Sequence, residues 1–165
     1  MGTFSKSLAS IGGFIAANNE TINFLKHSAR SLIFSASIAP GNAASVVAAL
    51  DLMQQEPERI EKLWDNTHYA MKGLKSLGLD TGHSETPIIP IYVRDTDKTF
   101  MLTRMLQEEG IFVNPVITPA VAPKDSLIRF SLMATHTHEQ IDQAIEKIGA
   151  VAEKLDIHKM ENAGS

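Results

Sequence analysis

From Thr86 to Leu155 the hydrophobic period of this chain alternates between that of strands and that of helices, and the resulting order of elements leaves few ways to close a core. Residues 87–93 (PIIPIYV) are short, β-branched and bounded by turn residues, which predicts a strand whose prolines suit an edge or a strand start. A helix is expected from about Asp97 to Glu109, stopping at Gly110. Residues 111–113 and 127–132 read as two further strands, separated by a loop holding Pro115, Pro119 and Pro123. The clearest helix follows: Ile141, Ala144, Ile145, Ile148, Val151, Ala152 and Leu155 form one apolar stripe, and Thr137 with Gln140 has capping-box spacing. Ahead of this block, Ile60, Leu63, Trp64, Thr67, Met71 and Leu74 recur at helical spacing between Pro57, a first-turn proline, and Gly78. Residues 56–158 are therefore expected to form a compact α+β unit, with a polar tail at 159–165.

The first third is organised differently. A hydroxyl-rich loop, residues 2–10, runs into a glycine-bearing apolar strand at 11–17 and a turn at Asn18-Asn19. A helix capped by Asn19 is expected through Ala29, with Ile22, Leu25 and Phe24 on its buried face. After an exit segment at 34–37, an Ala/Val-rich helix from Pro40 to about Met53 is apolar nearly all round, the pattern of an inner helix. These elements hold too few strands for a sheet of their own. Residues 1–55 are accordingly expected to be the end of an α/β domain that begins upstream.

A composition of 44% apolar and 21% charged residues is that of an ordinary globular protein, and a net charge of -4 with no basic stripe argues against nucleic acid as a partner. No cysteine is present to form a disulfide or a thiolate metal site, and the amino terminus lacks the pattern of a secretory signal, so a cytoplasmic location is expected. The long uncharged run at 31–50 contains Pro40, Gly41, Asn42 and several serines, which excludes it as a transmembrane segment.

The stretch with most chemical content is Thr3-Phe-Ser-Lys6-Ser7. An amine can act as a nucleophile once deprotonated, and the flanking hydroxyls can donate to a phosphate; an exposed surface lysine is the plain alternative. Lys6-Ser7 does not end a P-loop, because Ser5 stands where that motif needs glycine. Residues 2–16 (GTFSKSLASIGGFIA) resemble the cofactor-lysine segment of the α-oxoamine synthases. The likeness continues in order through residues 30–40 (RSLIFSASIAP), 86–90 (TPIIP) and 127–137 (LIRFSLMATHT).

The resemblance implies the carboxyl-terminal part of a fold type I transferase dependent on pyridoxal 5'-phosphate, comprising the end of the large domain (1–55) and an α+β small domain. It implies Lys6 as the Schiff-base lysine, Thr3 and Ser5 as cofactor-phosphate or loop-ordering residues, and Ser35 as reaching the phosphate held by the other subunit of a homodimer. Arg129 would bind the carboxylate of the amino-acid substrate; read without the resemblance, it is a surface charge on a strand. Within the family the wording favours condensation of serine with palmitoyl-CoA and loss of CO2, the entry to sphingolipid bases. The 8-amino-7-oxononanoate synthase and glycine C-acetyltransferase activities are the alternatives, as is a non-catalytic fragment. Ser31 and Leu32 depart from the family's usual Pro-Tyr, and the family's ring-stacking histidine and pyridine-pairing acid belong upstream of the lysine.

Other constellations have plainer readings. His136 and His138, two apart at a strand-helix junction, are expected as solvated cap residues rather than metal ligands. Met101 and Met105 are expected as core filler, Trp64 as core, and Glu58 with Lys62 as an exposed i,i+4 pair.

Overall fold

The computed structural model describes residues 1–157, so the tail expected at 159–165 lies outside the described residues. Two compact units divide the chain, Met1–Pro57 and the residues from Glu58 onward.

In the first unit, β1 (Gly2–Thr3) pairs antiparallel with β2 (Gly13–Phe14), Gly2 opposite Phe14 and Thr3 opposite Gly13. The strand expected over 11–17 is thus only two residues long. The glycines that suggested close backbone approach explain the tight pairing: a Cβ on Gly13 would stand 2.5 Å from the Gly2 carbonyl oxygen. Helix α1 (Asn19–Ser28) starts one residue off the expected cap, because it is the Asn18 side chain that accepts the Thr21 N–H. Phe24, expected on the buried face, is 66% exposed. A short helix the sequence did not signal, α2 (Arg30–Ile33), precedes α3 (Pro40–Gln55), whose first residue is the helix-starting proline. Of α3's residues only Val46 is buried, so the inner-helix pattern is not matched by burial within this unit.

The second unit has a conventional core. Helix α4 (Glu58–Ser76) leads into β3 (Ile88–Tyr92), α5 (Thr96–Glu108), β4 (Asn114–Val116), β5 (Leu127–Ser131) and α6 (His138–Lys154). The strands form an antiparallel sheet in the order β3-β5-β4, so β5, last in sequence, is central. Its alternation decides the faces: Ile128 and Phe130 join Ile89 and Ile91 under the helices, while Arg129 and Ser131 are exposed. Leu74 of α4, Leu102 and Leu106 of α5 and Ile148 of α6 are fully buried against these residues. Each such side chain contributes about 1.5–3 kcal/mol by leaving water. Helices α4 and α6 approach closely through glycines on both, Gly73 lying under Ile145 and Gly149 under Leu77. The capping box is present, with Thr137 accepting from Gln140 N and Gln140 Oε1 accepting from Thr137 N.

The strand expected at 111–113 falls instead at 114–116, Pro115 included. The physical reason is helix closure. Gly110 adopts φ +81° and the Ile111 N–H donates to the Leu106 carbonyl, so that backbone is committed to ending α5. Pro115 is accommodated because β4 is an edge strand. Trp64, expected in the core, is 36% exposed and stacks on His68, and Met101 is 51% exposed while Met105 packs on the core. Lys62 pairs with Asp65, three residues on, rather than with Glu58.

Candidate active site

Thr3, Ser5 and Lys6 share one loop of the first unit. The hairpin closes that loop with backbone hydrogen bonds from Phe4 N to Gly12 O (3.0 Å), Ala9 N to Lys6 O (3.3 Å) and Ser10 N to Phe4 O (3.0 Å). Phe4 and Phe14 stack with ring centroids 5.8 Å apart across its base. All three predicted side chains, and that of Ser7, are exposed, so one primary amine and three hydroxyls lie within five residues of a closed loop. Inside the loop Ala9 has φ +46°, a left-handed conformation that costs a non-glycine residue of the order of 1 kcal/mol. Beside the hairpin lies an apolar groove bounded by Phe14, Ile15, Ile22, Leu25 and Leu32.

Ser35 lies in a separate turn of the same unit, following α2. Its hydroxyl donates to the Leu32 carbonyl at 3.2 Å and is exposed.

Arg129 belongs to the second unit. It stands on central β5, opposite Pro90 of β3 and Asn114 of β4, on the open face of the sheet. Two grooves meet there. One is lined by Asp80, Tyr92, Arg94 and Asp125, the other by Asn114, Ser131, His136 and Gln140, and Arg129 lines both. The two arginines differ in their partners. Arg94, at φ +63°, lies 2.5 Å from Asp80, 4.0 Å from Asp125 and 5.1 Å from the Tyr92 ring centroid, and its hydrogen bond to Asp80 raises its pKa above the usual guanidinium range. Among the described residues no carboxylate pairs with Arg129, which leaves its planar donor set available on the open face.

The histidines have local partners. His136 Nδ1 accepts the Met133 N–H at 3.2 Å, and His138 Nε2 lies 3.1 Å from Asp65 while its ring stacks on Tyr69 at 4.0 Å. Asp65 sits below the ordinary carboxylate pKa, chiefly through its hydrogen bond from Lys62. Sequence reading did not single out Ser10, Asn42 or Asn66, polar side chains held in buried or half-buried contacts. Asn66 Nδ2 donates to the Met133 and His136 carbonyls, fixing the turn that follows β5. A lone serine or asparagine in a mixed sequence carries no periodic signal that would distinguish it from a solvent-facing one.

The paired features, a lysine loop rich in hydroxyls on a hairpin and an open sheet face carrying an arginine, occur in a chain that belongs to the aminotransferase class I and II family, whose model matches residues 1–148. Serine palmitoyltransferase of Bacteroides ovatus is 57% identical over 157 residues, covering 95% of this chain and 40% of that protein. An 8-amino-7-oxononanoate synthase of Symbiobacterium thermophilum is 40% identical over the same length, with the same coverage. A solved serine palmitoyltransferase from S. paucimobilis with a bound PLP-myriocin aldimine superposes with a TM-score of 0.86 at 29% identity, over 95% of this chain and 40% of that one. The chain thus spans about 40% of the length of these relatives. Among the described residues no helix is long and apolar enough to cross a membrane.

Proposed function

We propose that this chain supplies the cofactor lysine and the substrate-carboxylate arginine of a pyridoxal-phosphate-dependent acyltransferase that condenses serine with palmitoyl-CoA, releasing CO2, in sphingolipid-base formation. The observation that carries the choice of activity is the gap between 57% and 40% identity to the two kinds of relative, each over 157 residues. On this reading residues 1–55 end the cofactor-binding large domain and residues 56–158 form the small domain. The enzyme works as a cytoplasmic homodimer.

The donor set suits the cofactor: an exposed amine with hydroxyls on both sides offers a covalent anchor and several hydrogen bonds to a phosphate. When bound, pyridoxal phosphate supplies an aldehyde that captures amines and a ring that draws electrons from the amino acid's Cα. Lys6 would hold the cofactor through its Nζ, and its amine, when free, would move the proton at the substrate's Cα. Thr3 and Ser5 would donate to the phosphate or order the loop. Ser35, whose hydroxyl donates to the Leu32 carbonyl here, would donate to the phosphate held by the other subunit. Arg129 would take the substrate carboxylate in a bidentate grip.

A second reading, that the chain alone is a non-catalytic fragment, is supported by a specific observation: among the described residues of the first unit only Ser10 and Val46 are buried. One experiment separates the two. The 165-residue chain is incubated with pyridoxal phosphate, reduced with borohydride and mapped by mass spectrometry. Cofactor fixed selectively on Lys6, absent from Lys6→Ala, and CO2 release on adding serine and palmitoyl-CoA, support the enzyme. Selective fixation without turnover supports the fragment, and labelling spread evenly over the lysines refutes the assignment of Lys6.

A further inference from the structure

Ser10 is the one buried polar residue of the first unit among the described residues, only 7% exposed, and it sits four residues after Lys6. Its hydroxyl donates to the backbone carbonyl of Asn42 at 3.2 Å and accepts from the Asn42 side-chain Nδ2 at 3.3 Å. Asn42 lies in the first turn of α3, one turn before Val46, the other buried residue of the unit. The contact spans 32 positions of sequence and is the side-chain hydrogen bonding by which the lysine loop is fastened to a long helix.

We propose that Ser10 and Asn42 are positioning residues for Lys6, a pin that holds the cofactor-lysine loop in its closed shape. Three features of the loop converge on it. The Ser10 N–H donates to Phe4 O, which draws the two ends of the 4–10 segment together around Lys6. Ala9, next to Ser10, is held left-handed, a conformation that persists only where its surroundings over-determine it. The hairpin below supplies only two residue pairs, too few to hold such a loop unaided. Releasing the Ser10 hydroxyl frees Ala9 to relax to negative φ, and the amine of Lys6 then samples many directions instead of few. This inference rests on the reading of Lys6 as the cofactor lysine, and it adds what makes that lysine selective.

The test uses the full 165-residue chain with pyridoxal phosphate at sub-saturating concentration as the probe, comparing wild type, Ser10→Ala, Asn42→Ala and, as a control on the same helix, Ser45→Ala, whose exposed hydroxyl bonds only to Gly41 O. The two readouts are hydrogen exchange of the Phe4, Ala9 and Ser10 amides and the ratio of borohydride-fixed cofactor on Lys6 to that on the other lysines. Ser10→Ala removes both hydrogen bonds and Asn42→Ala only one, because the Asn42 carbonyl remains. The expected order is therefore graded: a roughly five- to tenfold loss of Lys6 selectivity and of Ser10 amide protection in Ser10→Ala, a smaller loss in Asn42→Ala, and none in Ser45→Ala. Wild-type selectivity and protection in Ser10→Ala overturn the proposal, as does an equal loss in Ser45→Ala, which would mark a general loosening of α3. Asn42→Ala removes one half-buried hydrogen bond and leaves the Ser10 hydroxyl and the Asn42 carbonyl in place, which keeps the comparison meaningful if Ser10→Ala unfolds the unit. Should wild type show no preference for Lys6, the cofactor-lysine reading fails, and amide protection alone decides whether the pin exists.

Discussion

Gly13 and Gly41 should respond to alanine with opposite signs, although both are glycines of the same unit. An alanine Cβ at Gly13 would stand 2.5 Å from the Gly2 carbonyl oxygen and 3.4 Å from the Thr3 Cα, both backbone atoms that cannot rotate away. Contacts below 3.0 Å are not tolerated, so the hairpin must open by about half an ångström or more. Overpacking of this kind costs about 1–3 kcal/mol, comparable with everything a hairpin of two residue pairs can gain. At Gly41, in the first turn of α3, a Cβ meets nothing within 4 Å, and replacing a helical glycine by alanine is favourable by up to about 1 kcal/mol. Hydrogen exchange reads both. Gly13→Ala should lower protection of the Phe4 amide, which bonds to Gly12 O, by roughly tenfold and reduce cofactor fixed on Lys6, whereas Gly41→Ala should raise protection along α3. Unchanged Phe4 protection in Gly13→Ala would refute the close approach of β1 and β2.

The second unit offers a plainer test of its core: Ile148→Ala removes a fully buried side chain and should cost about 2–5 kcal/mol, lowering the midpoint of thermal unfolding by on the order of 10 °C or more; a loss below about 1 kcal/mol would contradict its placement. The Tyr69 hydroxyl donates to Asp142 at 2.8 Å, and that hydrogen bond raises the phenol's pKa above the ordinary 10.0. A raised folded-state value contributes stability that is complete below the ordinary tyrosine value and disappears as pH rises through the folded one. Stability measured by urea unfolding should therefore fall more steeply in wild type than in Tyr69→Phe above pH 10, and parallel curves would count against the hydrogen bond.

The second unit was legible in the sequence because its elements are amphipathic and periodic. The stripe from Ile141 to Leu155 could pack only one way, and its capping box could be placed to the residue. Misplacements occurred where one backbone had two uses. Residues 111–113 had the composition of a strand, but the closing of α5 took the Ile111 N–H first. Trp64 and Met101 lay on helical stripes yet at their margins, where a rotation of a few tens of degrees separates core from solvent.

By itself the sequence determined the family, through motifs in fixed order, and the residue types of the candidate site: an amine among hydroxyls at Lys6, a planar cation at Arg129. Tertiary structure alone decided which polar groups are held and which are available. It paired Arg94 with Asp80 while leaving Arg129 on the open face of β5, and it fastened Ser10 to Asn42 across 32 residues. The physical reason is that apolar burial imposes a period the chain must display along its length, whereas a hydrogen bond or ion pair needs only two groups that folding brings together, and no local pattern announces which two they will be.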